Sequence, residues 1–83
     1  LNKTLIKEHI EWVKQLNLSG VSASSGYLID QNYLPGGGGI LIFKANNYQE
    51  AKKIIEKDPI ILSGLVKWEL YEWSLVAGNL INE

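Results

Sequence analysis

From Thr4 to about Leu18 the apolar residues Leu5, Ile6, Ile10, Trp12, Val13 and Leu16 recur three and four positions apart. Lys3, Lys7, Glu8, Glu11, Lys14 and Gln15 occupy the other positions. That period predicts an amphipathic helix. His9 stands four residues after Leu5, three before Trp12 and four before Val13. It therefore shares the apolar stripe, and its imidazole points toward whatever the helix packs on. Gly20 ends the element. Val21 to Ser25 then alternates small apolar and hydroxyl residues ahead of Gly26-Tyr27-Leu28-Ile29, which predicts a strand interrupted at Gly26.

The next stretch, Asp30 to Gly39, contains Asp30, Asn32, Pro35 and the run Gly36-Gly37-Gly38-Gly39, and turn chemistry of this density predicts a flexible loop. Ile40-Leu41-Ile42-Phe43, continuing into Lys44-Ala45, is a continuous apolar run. Such a run predicts a strand covered on both faces near the centre of a sheet. Asn47, with Glu50 three residues on, makes a capping box for a second helix. Its inner face is Tyr48, Ala51, Ile54 and Ile55, and it runs through Lys57. Asp58 lies over the same edge. Proline disfavours helical geometry in the residue before it, so Asp58-Pro59 marks the helix exit. Pro59 to Gly64 reads as an apolar connector. Leu65 to Trp73 alternates as a third strand, with Val66, Trp68 and Leu70 on one face and Lys67, Glu69, Tyr71 and Trp73 on the other.

The order helix, strand, strand, helix, strand is that of an α+β domain. One further strand ahead of the first helix would complete βαββαβ, the ferredoxin-like arrangement. The chain has no methionine, so its own translation start lies elsewhere, and an absent leader is the expected place for that first strand. The 83 residues fit one domain, residues 1–83, with a core of about 4–73 and a C-terminal extension over 74–83. A chain of this length hides only ~60% of its unfolded surface, so a partner chain would help it.

Eight basic and nine acidic residues give a net charge of −1, which excludes the basic patches that hold nucleic acid. All eight cations are lysine, so no planar guanidinium is present to clamp a carboxylate or phosphate. There is no cysteine, hence no disulfide and no thiolate, and a reducing, cytoplasmic setting is expected. No apolar run reaches the ~18 residues of a membrane span.

The two helices of a ferredoxin-like domain run antiparallel on one face of the sheet, which brings the beginning of the first near the end of the second. His9 and Asp58 then meet, with the carboxylate fixing the imidazole tautomer and raising its basicity. One reading of that pair is a general acid or base. The other, which spacing alone favours, is a buried histidine satisfied by a carboxylate. The glycine run lacks the Lys-Ser or Lys-Thr of a phosphate loop and precedes a strand, so it reads as a hairpin connection or as a mobile lid beside His9. Ser22, Ser24 and Ser25 would complete a Ser-His-Asp set, but no nucleophile-elbow pattern surrounds them. They read better as small strand residues that leave room for a ligand. One histidine and no cysteine make a poor metal site, and no metal or cofactor is expected.

Several short segments resemble the YciI-like (YCII-related) family of small dimeric ferredoxin-like α+β proteins. They are His9-Ile10-Glu11-Trp12-Val13, Ser25-Gly26-Tyr27, and Gly38-Gly39-Ile40-Leu41-Ile42-Phe43-Lys44-Ala45 leading into Tyr48-Gln49-Glu50-Ala51. Asp58-Pro59 and the strand from Trp68 to Trp73 complete the set. The resemblance spans about residues 5–73. It implies a His–Asp dyad at His9 and Asp58 in a cleft, and a homodimer whose sheets pack face to face. It also implies acid–base elimination on a small, aromatic-type substrate. Ser24, Ser25, Gly26, Gly38 and Gly39 are the residues expected to flank such a substrate. A non-catalytic ligand-binding or regulatory dimer using the same pocket is the alternative. Tyr27 stands where proline is common in the family, which alters the pocket wall.

Overall fold

The computed structural model describes residues 2–80; Leu1 and residues 81–83, the end of the expected extension, lie outside the described residues. The chain order is α1 (Lys3–Leu18), β1 (Ala23–Ile29), β2 (Pro35–Phe43), α2 (Tyr48–Ile55) and α3 (Pro59–Leu62), an α+β arrangement. The strands β1 and β2 form an antiparallel hairpin, and α1 packs on β1 and on α3.

α1 begins where the Asn2 side chain accepts the Leu5 N–H at 2.8 Å. It ends in a Schellman turn: Gly20 takes φ +98°, its N–H donates to Asn17 O, and the Val21 N–H reaches back to Leu16 O. Glycine adopts this left-handed geometry without a Cβ clash. The Asn17 amide then ties helix to sheet. Its Nδ2 donates to Ala23 O at 3.0 Å and to Val13 O, while its Oδ1 accepts the Ala23 N–H at 3.1 Å.

Several sequence expectations are corrected. The glycine run is strand, not loop. The Asp30 carboxylate accepts the N–H groups of Asn32 and Leu34, closing the turn within residues 30–34 with Tyr33 at φ +64°, and Ile29 already faces Pro35. Nor does Gly26 break β1; it pairs with Ile40, and the irregularity falls between Tyr27 and Ile29. Finally, α2 stops at Ile55 instead of running through Lys57, and the expected connector contains α3. Asp58 Oδ1 accepts the Ile60 N–H at 2.9 Å, and Pro59 follows at the first helical position, where its missing N–H costs nothing. The Asn47 cap of α2 is present, accepting the Glu50 N–H at 2.9 Å.

The apolar run of β2 is covered on one face only. Leu41 and Phe43 are half-buried, while Ile40 and Ile42 remain 55% and 40% exposed. Residues 65–73 form no helix and join no ladder among the described residues. Their alternation persists: Val66 and Leu70 are half-buried with Lys67, Glu69 and Tyr71 exposed, and the Tyr71 hydroxyl donates to Glu69, two residues back on the same side, at 2.7 Å. Pattern prepares a strand, but a neighbour's hydrogen bonds make one, and none of the described elements supplies them.

The interior is correspondingly thin. Among the described residues only Ile55 and Asp58 are buried, and the chain exposes 6924 Å², against about 5,000 Å² for a compact monomer of this mass.

The His9–Asp58 site

Among the described residues the most buried is a carboxylate: Asp58 is 4% exposed, less than Ile55 at 7%. An unpaired charge in such a place is strongly disfavoured, and the structure shows its compensation. His9 Nδ1 lies 2.8 Å from Asp58 Oδ1, and the same oxygen accepts the Ile60 N–H. The backbone is anchored as well, with Asp58 N–H on Ile55 O and Leu62 N–H on Asp58 O. The turn that closes α2 and the cap that opens α3 therefore hold the carboxylate. The apolar stripe of α1 carries His9 to it, since Leu5, Trp12, Val13 and Leu16 on that stripe are half-buried with it.

Asp58 Oδ1 accepts the Ile60 N–H, and an ionised carboxylate accepts only. With Asp58 ionised and His9 neutral, Nδ1 carries the proton and Nε2 the lone pair. That lone pair is directed at Ser25: Nε2 lies 2.7 Å from Ser25 Oγ, and the hydroxyl donates. Trp12, one helical turn on, sets its ring beside the imidazole with centroids 6.0 Å apart and planes tilted by 37°. The His9–Asp58 contact is part-buried and the His9–Ser25 contact is exposed, so the relay runs from the interior outward to solvent.

The strand register places the remaining candidates. Lys44 N–H donates to Ser22 O, which makes 22/44 a hydrogen-bonded pair. By the antiparallel alternation Ala23, Ser25 and Tyr27 are in non-hydrogen-bonded pairs with Phe43, Leu41 and Gly39. These residues share the face that meets α1, and their N–H and C=O groups point away from β2, as the Asn17 clamp on Ala23 shows. Ser24 projects from the opposite face of the sheet, away from His9. Gly26 follows Ser25 in β1. Gly39 sits opposite Tyr27 on Ser25's face, with its α-carbon so near the β1 backbone that a Cβ there would lie 2.6 Å from Gly26 O. Gly38 precedes it at φ +114°. The structure thus brings His9, Asp58 and Ser25 into direct contact, sets Gly26 and Gly39 along the same two strands, and turns Ser24 away.

Sequence reasoning missed the cap made by Asp58 and the Asn17 clamp. The Asp-Pro dipeptide was the available signal for the first, since aspartate before proline is a helix start as well as a helix exit. Nothing in spacing marks the second, whose partner Ala23 is chosen by tertiary geometry. A groove along α1 lined by Val13, Lys14, Asn17 and Leu18 includes none of His9, Ser25 and Asp58. Among the described residues there is no cluster of metal-ligand side chains and no helix long and apolar enough to cross a membrane.

Among the comparisons with known proteins, the family model of the YCII-related domain matches residues 2–74. The chain belongs to that family. No curated protein and no solved structure matches it.

Proposed function

We propose that this YCII-related domain is a small-molecule enzyme in which His9, oriented by Asp58, transfers protons in elimination-type chemistry. The observation that carries the reading is the 2.8 Å contact of Nδ1 with a carboxylate that is itself buried, leaving Nε2 on the exposed side. A carboxylate behind an imidazole selects one tautomer and stabilises the imidazolium formed when Nε2 accepts a proton. In an elimination, Nε2 would take a proton from carbon and return it to the departing group or to water. Gly26, Gly38 and Gly39 would flank the substrate without filling its space.

The finer architecture belongs to the same proposal. A further strand would lie between β2 and residues 65–73, completing the ferredoxin-like sheet of a single domain. A second copy would cover the face that leaves Ile40 and Ile42 open. The area supports this, because the excess of about 2,000 Å² over a compact monomer is what a strand and a standard interface, ~800 Å² per partner, would together remove.

The test is an NMR titration of His9 in the wild type and in Asp58→Asn, followed by turnover assays on small aromatic compounds. The proposal expects the wild type to hold the Nδ1–H tautomer and the variant to titrate differently, with turnover that requires His9. Identical titration and tautomer in both proteins would refute the coupling. A tightly bound metabolite with no conversion dependent on His9 would replace the enzyme with a binding protein.

A further inference from the structure

Both imidazole nitrogens are already engaged within the chain, Nδ1 by Asp58 and Nε2 by Ser25. A substrate approaching from solvent therefore meets the Ser25 hydroxyl before it meets the ring. We propose that Ser25 is a nucleophile and that the site supports a second activity, hydrolysis of small activated acyl esters through an acyl-Ser25 intermediate. The inference rests on the His9–Asp58 pairing but not on elimination chemistry.

The geometry is that of an activated serine. The Ser25 hydroxyl already lies 2.7 Å from Nε2, the opposite nitrogen is held by a buried carboxylate, and Ser25 is exposed on β1. An Oγ lone pair attacks the acyl carbon, the carbonyl π pair moves to its oxygen, and the Oγ proton passes to Nε2. When the carbonyl re-forms, the bond to the leaving oxygen breaks and that oxygen takes the proton from Nε2. Water, deprotonated by Nε2 in the same way, then releases the acid and restores the serine. The Ser25 N–H, directed off the free edge of β1 by the strand register, is a donor for the transient oxyanion. Ser22 and Ser24 have no imidazole contact and are internal controls on the same strand approach.

The experiment treats the intact protein with a dialkyl fluorophosphonate and, separately, with p-nitrophenyl acetate, and locates the adduct by fragmentation mass spectrometry. Labelling is expected at Ser25, about 100-fold or more faster than at Ser22 or Ser24, because general-base assistance contributes about 10²–10⁴-fold. His9→Gln should slow it by a similar factor. On the unmutated protein, the rate should fall tenfold per pH unit once acidification protonates the imidazole. No adduct at Ser25, an equal rate in His9→Gln, or a rate indifferent to imidazole protonation would each overturn the proposal. A negative labelling result beside an intact His9–Asp58 titration coupling removes the nucleophile and leaves the proton-transfer reading standing; loss of that coupling removes both.

Discussion

Replacing Asp58 separates the two duties of its side chain. Asp58→Ala removes the charged hydrogen bond to His9, of the kind that contributes about 1.5–3 kcal/mol, and the cap on Ile60 N–H, about 1 kcal/mol. It also leaves the Nδ1–H of His9, 12% exposed, without its acceptor. A loss of about 3 kcal/mol follows. For a domain of this size, where 1 kcal/mol moves the midpoint by roughly 4–8 °C, the melting temperature should fall by roughly 12–24 °C. Asp58→Asn keeps a capping oxygen, since asparagine caps as well as aspartate. It can still accept from Nδ1, losing only the charge, so its cost should be less than half as large. Urea denaturation of both variants, closed into a double-mutant cycle with His9→Ala, isolates the pair. The coupling should be about 1.5–3 kcal/mol. Equal destabilisation by Asn and Ala, or a coupling below roughly 0.5 kcal/mol, would refute the claim that the imidazole compensates the buried carboxylate.

Asn17→Ala should cost about 1–2 kcal/mol, through its bonds to Ala23 and Val13, and should speed amide exchange at Ala23; unchanged exchange would show the clamp to be passive. Gly39→Ala must move the Gly26 carbonyl and should lose about 1–3 kcal/mol in thermal melts. Gly36→Ala, whose nearest neighbour would be 3.9 Å away, should be neutral or slightly stabilising; similar losses at both would contradict the close approach. Tyr71 should titrate above the ordinary tyrosine range, because its hydroxyl donates to the Glu69 carboxylate and ionisation would set two negative charges side by side. Ultraviolet titration of Glu69→Gln should bring it back down. Light scattering should give a dimer mass, and Ile42→Asp on the open sheet face should lower it to the monomer's; a monomeric wild type would refute the covered face.

How much was legible depended on how local the cause was. α1 was readable because six apolar residues keep one period over sixteen positions, and α2's start because Asn47 caps with its own side chain. The conjunction of His9 with Asp58 needed a fold hypothesis, since forty-nine residues separate them. The four glycines misled because their composition signals a turn, whereas the turn is made upstream by Asp30 and glycine is needed in β2 for close approach to β1. The segment 65–73 shows the converse. Its alternation is correct for a strand, yet pairing depends on a neighbour that local pattern does not contain. α3 was invisible because four residues carry no periodicity, and only its cap and proline announce it.

One oxygen of Asp58 serves both an imidazole and a helix start, and this shapes what mutation can do to the family. A descendant that no longer needs chemistry at His9 still needs a cap before Pro59, so aspartate or asparagine would persist there after activity is gone. Retention of that position would then record the demands of folding, and the more telling sign of a working enzyme would be retention of His9 and Ser25, whose contacts with each other hold no helix together.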